Sequence, residues 1–281
     1  MSEKKSKRAA GVAREPNWVR DELPSLLVAI AAALAIRTFV FQTFYVPSES
    51  MLPTLVIGDH VFVNKFVYGP QAPGADWRFP DVREPRRGEV IVFRFARDDH
   101  DTLYPPDRAP ELPTDNFVKR LVGIPGDRIA YRAGRLILNG EPAPMEKTAL
   151  HFTGDDGRKR DVWIETLGDC RHFVLDDPYD PGRDLEEISI DAGRYFFMGD
   201  NRDNSRDARW AGSVAKSALA GPAGLNYWSW NWNGSWLSLL NPLTWFENLT
   251  GKMRFARMGS FIECFPEGAT PELPGAEMKA E

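Results

Sequence analysis

The chain has 281 residues, of which 43% are hydrophobic and 27% are charged, and its net charge is −5. This length allows one substantial core or two small domains, and the composition is that of a globular protein. The acidic balance gives no reason to expect nucleic-acid binding. The two cysteines, Cys170 and Cys264, are too few for a disulfide framework or a four-thiolate zinc site. We expect a monomer with no metal and no cofactor.

An apolar segment with one internal arginine, Arg37, runs from Leu23 to about Phe44. Because about 20 apolar residues are enough to cross a bilayer, it predicts a single transmembrane helix over 23–44. A buried core helix and a cleaved signal peptide are the alternatives. A signal peptide would end near the small residues of 29–35, but here the apolar segment continues past them.

Residues 1–22 are rich in lysine and arginine, with few acids. The positive-inside rule therefore predicts a cytoplasmic basic N-terminus. Everything beyond the apolar segment is then expected on the outer side of a bacterial inner membrane. Membrane lipid is accordingly an expected partner.

Runs of β-branched and aromatic residues follow the apolar segment, and no later stretch has clear helical periodicity. The runs predict strands over residues 59–67, 90–95, 117–122 and 194–198, and a hairpin over 128–138. The predicted fold is mainly β: a catalytic body over 45–221, with an inserted smaller β region over 139–190.

The last part of the chain, 222–281, is predicted to be a tryptophan-rich membrane-proximal segment followed by a flexible tail. Its tryptophans recur at even positions, which favours a strand with one aromatic face. These rings would either contact the membrane interface or fill the β core, and the sequence leaves both readings open. The residues concerned are Trp228, Trp230, Trp232 and Trp236, and Trp245 continues the enrichment in tryptophan further along the chain.

Ser50 is the first candidate for chemistry, because it follows the apolar segment closely. A serine hydroxyl needs an adjacent base, and none of the four histidines lies in a recognisable catalytic motif. A lysine can act as the base if burial lowers its pKa enough to make the amine neutral. Lys119, within the hydrophobic run 117–122, meets this condition.

Three motifs carry a resemblance to a known family. Residues 47–55 (Pro-Ser-Glu-Ser-Met-Leu-Pro-Thr-Leu) resemble the serine box of bacterial type I signal peptidases. Residues 119–127 resemble their lysine box, and 199–209 (Gly-Asp-Asn-Arg-Asp-Asn-Ser-Arg-Asp-Ala-Arg) resemble their third box. The resemblance covers roughly residues 25–215 and implies a signal-peptidase-like fold with a Ser–Lys dyad.

The resemblance implies roles for individual residues. Ser50 would be the nucleophile and Lys119 the general base and acid, while Ser48 and the Ser50 backbone amide would form the oxyanion hole. Ser205 would hydrogen-bond the lysine amine and orient it. A charged scaffold would consist of Arg120, Asp200, Asp207 and Arg209. Shallow substrate pockets would be lined by Val46, Met51, Leu55, Phe117 and Val118.

Three positions depart from the family pattern: Glu49 replaces a small residue, Ala208 replaces a serine, and no proline follows Val214. The expected function is removal of signal peptides from exported preproteins by cleavage after Ala-x-Ala-like sites. One alternative is a specialised relative that matures one secreted or conjugation-related protein. A second is a catalytically dead anchor that binds exported chains without cutting them, which retention of Ser50, Lys119 and Ser205 disfavours. The sequence does not decide whether Cys170 and Cys264 form a disulfide.

Overall fold

The computed structural model describes residues 22–69, 79–153, 157–177, 182–230, 253–266 and 268–269. Three predictions lie outside the described residues: the basic segment before residue 22, the continuation of the tryptophan-rich segment, and most of the C-terminal tail. Trp232, Trp236 and Trp245 belong to this part of the chain.

The apolar segment forms a helix, α1 (Leu23–Phe39), which has a proline in its first turn and no buried residue. The predicted helix over 23–44 is wrong at its C-terminal end, since Phe41–Tyr45 form strand β1. This strand pairs antiparallel with β2 (Asp59–Asn64), which satisfies its backbone groups. Among the described residues, no helix combines the length and apolarity needed to cross a membrane.

One large sheet dominates the described part of the chain and carries the site residues. Besides β1 and β2, its strands are β3 (Val90–Arg97), β4 (Leu103–Tyr104), β5 (Thr114–Gly123), β13 (Arg194–Met198), β14 (Val214–Ala215), β15 (Leu219–Ser229) and β16 (Ser260–Phe261). The central order is β1-β2-β15-β3-β5-β13-β14, with β4 paired to β3 and β16 paired to β15. The strands predicted at 90–95, 117–122 and 194–198 are confirmed, whereas 59–67 ends in a 3-10 turn from Lys65 onward.

Two smaller sheets lie between β5 and β13 in sequence. The predicted hairpin is confirmed: β6 (Arg128–Arg132) pairs with β7 (Arg135–Leu138), and β8 (Glu141–Pro142) and β12 (Leu185–Ser189) complete that sheet. The second sheet consists of three long strands, β9 (Met145–Thr153), β10 (Lys159–Leu167) and β11 (Cys170–Asp176). Cys170 and Cys264 form a disulfide, with Cα atoms 4.9 Å apart, which ties β11 to the C-terminal segment.

The packing of the large sheet fixes the strands around the site. Phe93 of β3 stacks on Phe197 of β13, with ring centroids 4.2 Å apart, and both rings are fully buried. On the other side, Val46 and Met51 pack with valines of β2 and β3 in a separate apolar cluster. Strands β3 and β5, next to the site, therefore contribute side chains to both apolar clusters.

Candidate active site

Ser50 lies in a single 3-10 turn, Glu49–Met51, between β1 and β2. Met51 and Leu55 hold this turn in place, because their side chains are fully buried in the apolar cluster with Val46. The Ser50 carbonyl accepts a hydrogen bond from the Asn201 backbone N–H at 3.2 Å. Ser50 is 8% exposed, so this residue is almost completely buried.

Lys119 lies in the middle of β5, opposite Ile91 of β3, and is only 2% exposed. Its Nζ donates a hydrogen bond to Ser50 Oγ. Burial lowers the pKa of Lys119 from 10.5 to about 8, although the nearby carboxylates of Asp207 and Asp200 oppose the shift. The structure therefore brings the predicted nucleophile and the predicted base together, and burial increases the fraction of the amine that is neutral.

The other two predicted serines differ in their contacts. Ser48 Oγ lies 3.1 Å from Ser50 Oγ, within hydrogen-bond distance. Ser205 Oγ is buried and has no hydrogen-bond partner in the part of the chain that the structure describes, so its predicted bond to Lys119 is not formed here. Gly199 separates Ser205 from the Ser50 turn, since a Cβ atom at Gly199 would lie 2.3 Å from Ser205 Oγ and 2.4 Å from the Ser50 carbonyl oxygen.

Two buried ion pairs flank the dyad. Arg120 donates from Nε and Nη2 to the two carboxylate oxygens of Asp200, at 2.8 and 2.7 Å. Arg209 makes the equivalent bidentate pair with Asp207, at 2.9 Å for both bonds. These arginines hold the pKa of each carboxyl below its usual range, so both carboxylates stay charged beside Lys119. The four predicted scaffold residues are thus present as two pairs.

A third buried pair was not predicted. Arg202 donates to both carboxylate oxygens of Glu165, a residue of β10 in the inserted region. His172 of β11 lies between the pairs, with Nε2 3.4 Å from Glu165 and 3.9 Å from Asp200. Burial is the main cause that lowers the pKa of His172. The inserted region therefore reaches the site through Arg202, which lines the cleft, and through Asp200, which pairs with Arg120.

The dyad opens into a cleft of about 1120 Å³. Val46, Phe117 and Val118, three of the predicted pocket residues, line it. Met51 and Leu55 are fully buried and support Val46 from behind, in the same apolar cluster. A serine hydroxyl bonded to a buried lysine amine at the base of an open cleft defines a candidate serine-hydrolase site.

Comparison with known proteins gives the family. The family model described as "Signal peptidase, peptidase S26" matches residues 18–228. Signal peptidase I of Pseudomonas aeruginosa is 37% identical over 191 residues, which cover 66% of this chain and 61% of the relative. Signal peptidase I of Rickettsia prowazekii is 31% identical over 212 residues, covering 68% of this chain and 73% of that protein. The chain therefore belongs to the signal peptidase family, peptidase S26.

The match to the relatives is partial. The chain spans 61% of the length of signal peptidase I from Pseudomonas aeruginosa and the same share of the Pseudomonas fluorescens protein, which is 35% identical. The family match includes the Ser50 turn, β5 and the segment 199–209. The candidate site thus lies wholly inside the region that is shared with the family.

Proposed function

We propose that this protein is a serine endopeptidase that removes N-terminal signal peptides from exported preproteins, using Ser50 and Lys119 as its dyad. The observation that carries the proposal is the hydrogen bond from the buried Lys119 amine to Ser50 Oγ. With a pKa of about 8, roughly a tenth of the lysine is neutral at pH 7. At the same pH, an exposed lysine would be neutral in only about one of several thousand molecules.

The chemistry follows from this pair. Lys119 accepts the hydroxyl proton as Ser50 Oγ attacks the scissile carbonyl carbon, and then passes that proton to the departing amine. An ester between Ser50 and the signal peptide remains, and water activated by Lys119 hydrolyses it. Ser48 Oγ, next to Ser50 Oγ, would donate to the carbonyl oxygen as it becomes negative; such a donor contributes roughly 3–4 kcal/mol in the transition state.

The apolar wall supports cleavage after small side chains. Val46 and Val118 belong to one packed cluster, so this wall of the cleft cannot recede to admit a large side chain. An alanine methyl group fits against such a wall, whereas a larger group clashes. This supports a preference for Ala-x-Ala-like ends, which are typical of secretory signal peptides.

The proposal places the protein on the outer side of a bacterial inner membrane, with its basic N-terminus in the cytoplasm. The exposed apolar side chains of α1 support contact with lipid. Beside it, exposed Phe41 and Tyr45 of β1 and Phe261 of β16 extend an aromatic surface across the sheet edge. The disulfide between Cys170 and Cys264 supports an oxidising compartment, where such bonds persist.

Cleavage of a preprotein whose signal peptide ends in Ala-x-Ala tests the activity. The full chain in detergent is compared with Ser50→Ala and Lys119→Ala, and with Lys147→Ala, an exposed lysine of the inserted region, as the matched control. We expect cutting after the last alanine by the wild type and the control, and no cutting by the two dyad variants. Cutting that survives Lys119→Ala contradicts the assignment of the base. Failure to cut several preproteins favours a specialised peptidase with one substrate.

Flotation with vesicles that contain anionic lipid tests the membrane contact. Tyr45→Ser combined with Phe261→Ser is expected to weaken binding of the full chain, because it removes two exposed aromatic rings from one surface. Val82→Ser, at an exposed apolar residue in the loop after β2, is the control and should bind as the wild type does. Equal binding of all three proteins would contradict a role for the aromatic surface.

A further inference from the structure

The cleft has a second wall, which the proposed mechanism does not use. The loop that follows β13 packs against the Ser50 turn: Asn201 N–H donates to the Ser50 carbonyl, and Asn204 Nδ2 lies 3.4 Å from Glu49 Oε2. Residues of this loop line the cleft, yet none of them belongs to the apolar cluster of Val46 and Val118. The cleft therefore has an apolar wall and a polar wall on separate parts of the chain.

Six cationic side chains line this cleft, and within the described residues all but one of them contact a carboxylate or the Ser50 hydroxyl. The engaged cations are Lys119 with Ser50, Arg97 with Asp115, Arg202 with Glu165, Arg206 with Asp101, and Arg209 with Asp207. Arg183 also lines the cleft and is exposed, and within the described residues it makes no ion pair. Arg183 is thus a charge in the cleft that no carboxylate in the described part of the chain neutralises.

Arg183 is nevertheless held in place. Its guanidinium carbon lies 4.3 Å from the centroid of the Trp210 ring, a stacked cation–π arrangement. Trp210 belongs to α2 (Ala208–Ala211), a single turn that Asp207 caps by accepting from the Arg209 backbone N–H. Stacking on a ring uses the face of a guanidinium and leaves the N–H donors on its edge available to a ligand. Trp210 is 55% exposed, so the pair is open to the cleft.

We propose that Arg183, stacked on Trp210, forms a subsite for the segment that follows the scissile bond, and that it selects an acidic side chain there. This inference rests on the proposed function. The apolar wall is suited to the small residues before the cut, which leaves the polar wall for the first residues of the mature protein. A planar guanidinium with free edge donors binds a carboxylate by two parallel hydrogen bonds.

Three carboxylates that line the cleft are expected to restrict the preference for an acidic substrate residue to one position. Glu49 lies 3.4 Å from the Asn204 amide and Asp115 pairs with Arg97, and neither forms an ion pair with Arg183 within the described residues. Asp203 is the third, and burial raises its pKa to about 7, which leaves it partly neutral at neutral pH. These groups repel a substrate carboxylate elsewhere in the cleft, so the preference is expected at one position and not along the whole segment.

Matched peptides test the proposal. They share one Ala-x-Ala end and carry glutamate, glutamine or lysine at each of the first few positions after the cut. The full chain in detergent is compared with Arg183→Gln and Arg183→Glu, and with Arg206→Gln, which removes a cleft cation that is committed to Asp101. We expect kcat/KM of the wild type to be roughly threefold to fivefold higher for glutamate than for glutamine at one position, the size of a partly exposed ion pair.

The variants separate selection from folding. Arg183→Gln should remove the glutamate preference, so that it cuts the glutamate and glutamine peptides with equal kcat/KM, and Arg183→Glu should prefer lysine at the same position. Arg206→Gln should keep the preference, and added salt should weaken it in the wild type. Equal kcat/KM for glutamate and glutamine peptides in the wild type, or a preference that survives Arg183→Gln, overturns this inference alone. No cleavage of any peptide overturns the proposed function and this inference with it.

Discussion

Lys119 and Arg120 are consecutive residues of β5, and their side chains have different partners. The Lys119 amine donates to Ser50 Oγ, whereas the Arg120 guanidinium makes its bidentate pair with Asp200. Side chains of a strand alternate between the two faces of a sheet, so one strand supplies the proposed base on one face and a buried ion pair on the other. The strand that carries the proposed base is therefore anchored through the next residue by a buried ion pair.

The first prediction concerns the pH dependence of activity. The base must be neutral to accept a proton, and the pKa of Lys119 is about 8. We expect kcat/KM for a peptide without titrating groups to rise about tenfold per pH unit below that value and to level off above it. Initial rates between pH 6 and pH 10 check this, with circular dichroism at each pH to confirm folding. A profile that levels off near pH 6.5 would point to a histidine instead.

The second prediction is that Lys119→Met stabilises the fold while it abolishes cleavage. Burial lowers the pKa of Lys119 below the value of 10.5 in the unfolded chain, so the unfolded state binds more protons between pH 8 and pH 10.5. The charged lysine therefore costs folding free energy below pH 8, on the order of 3 kcal/mol. Denaturant unfolding should show the variant to be more stable at pH 7, with the difference shrinking as pH rises through that window. A variant less stable than the wild type at pH 7 would contradict the burial cost.

The strands that carry the dyad were predictable because their signal is local. The run around Lys119 is hydrophobic and β-branched, and β5 covers it with Ile91 of β3 opposite the lysine. The end of α1 was not predictable in this way. The residues of β1 continue the aromatic character of the segment before them, and their pairing with β2, the next strand along the chain, makes them a strand.

The contribution of the inserted region to the site was not predicted, for a similar reason. Glu165 and His172 lie in the segment 139–190, which is rich in acids and turn residues and is predicted only as an inserted smaller β region. Glu165 is buried because it meets Arg202, which is 37 positions further along the chain. A charged residue is buried only with a partner, and a single sequence does not show that partner.

The third prediction tests the close packing behind Ser50. A Cβ atom at Gly199 would lie 2.4 Å from the Ser50 carbonyl oxygen and 2.3 Å from Ser205 Oγ, closer than such atoms approach one another. Gly199→Ala should therefore push the nucleophile turn away from Lys119, lower kcat/KM by at least tenfold, and cost about 1–3 kcal/mol of stability. Gly224→Ala in β15 is the control, because nothing lies within 4 Å of its Cβ position. Unfolding and cleavage assays on both variants check this, and similar effects at the two positions would contradict it.

The fourth prediction compares a buried ion pair with an exposed one. Asp200→Asn leaves the Arg120 guanidinium buried without its counter-charge, which should cost about 3–5 kcal/mol of stability. Asp115→Asn removes one of the two carboxylate partners of Arg97, the other being Asp101, at an exposed pair and should cost less than about 1 kcal/mol. Asp200 also raises the pKa of Lys119, so its loss should shift the pH–rate profile to lower pH. Urea unfolding and the pH profile measure the two effects, and an unshifted profile in a folded Asp200→Asn protein would contradict the coupling.

The last prediction concerns the disulfide between Cys170 and Cys264. It closes a loop across a sequence separation of 94 residues, so it restricts the unfolded chain strongly and should contribute about 2–5 kcal/mol. Replacing both cysteines with alanine should lower the melting temperature, and a reductant should lower that of the wild type by a similar amount without affecting the variant.

Cleavage well below the melting temperature should persist in the cysteine variant, since neither cysteine lies in β5 or in the Ser50 turn. Melting curves with and without reductant, together with initial rates, make the comparison. Identical melting of the variant and the oxidised wild type would show that the bond adds no stability. A full loss of activity in a folded variant would instead mean that the C-terminal segment positions the dyad, a role for which Arg257 is placed by its hydrogen bonds to Asp59 and to the Thr54 carbonyl.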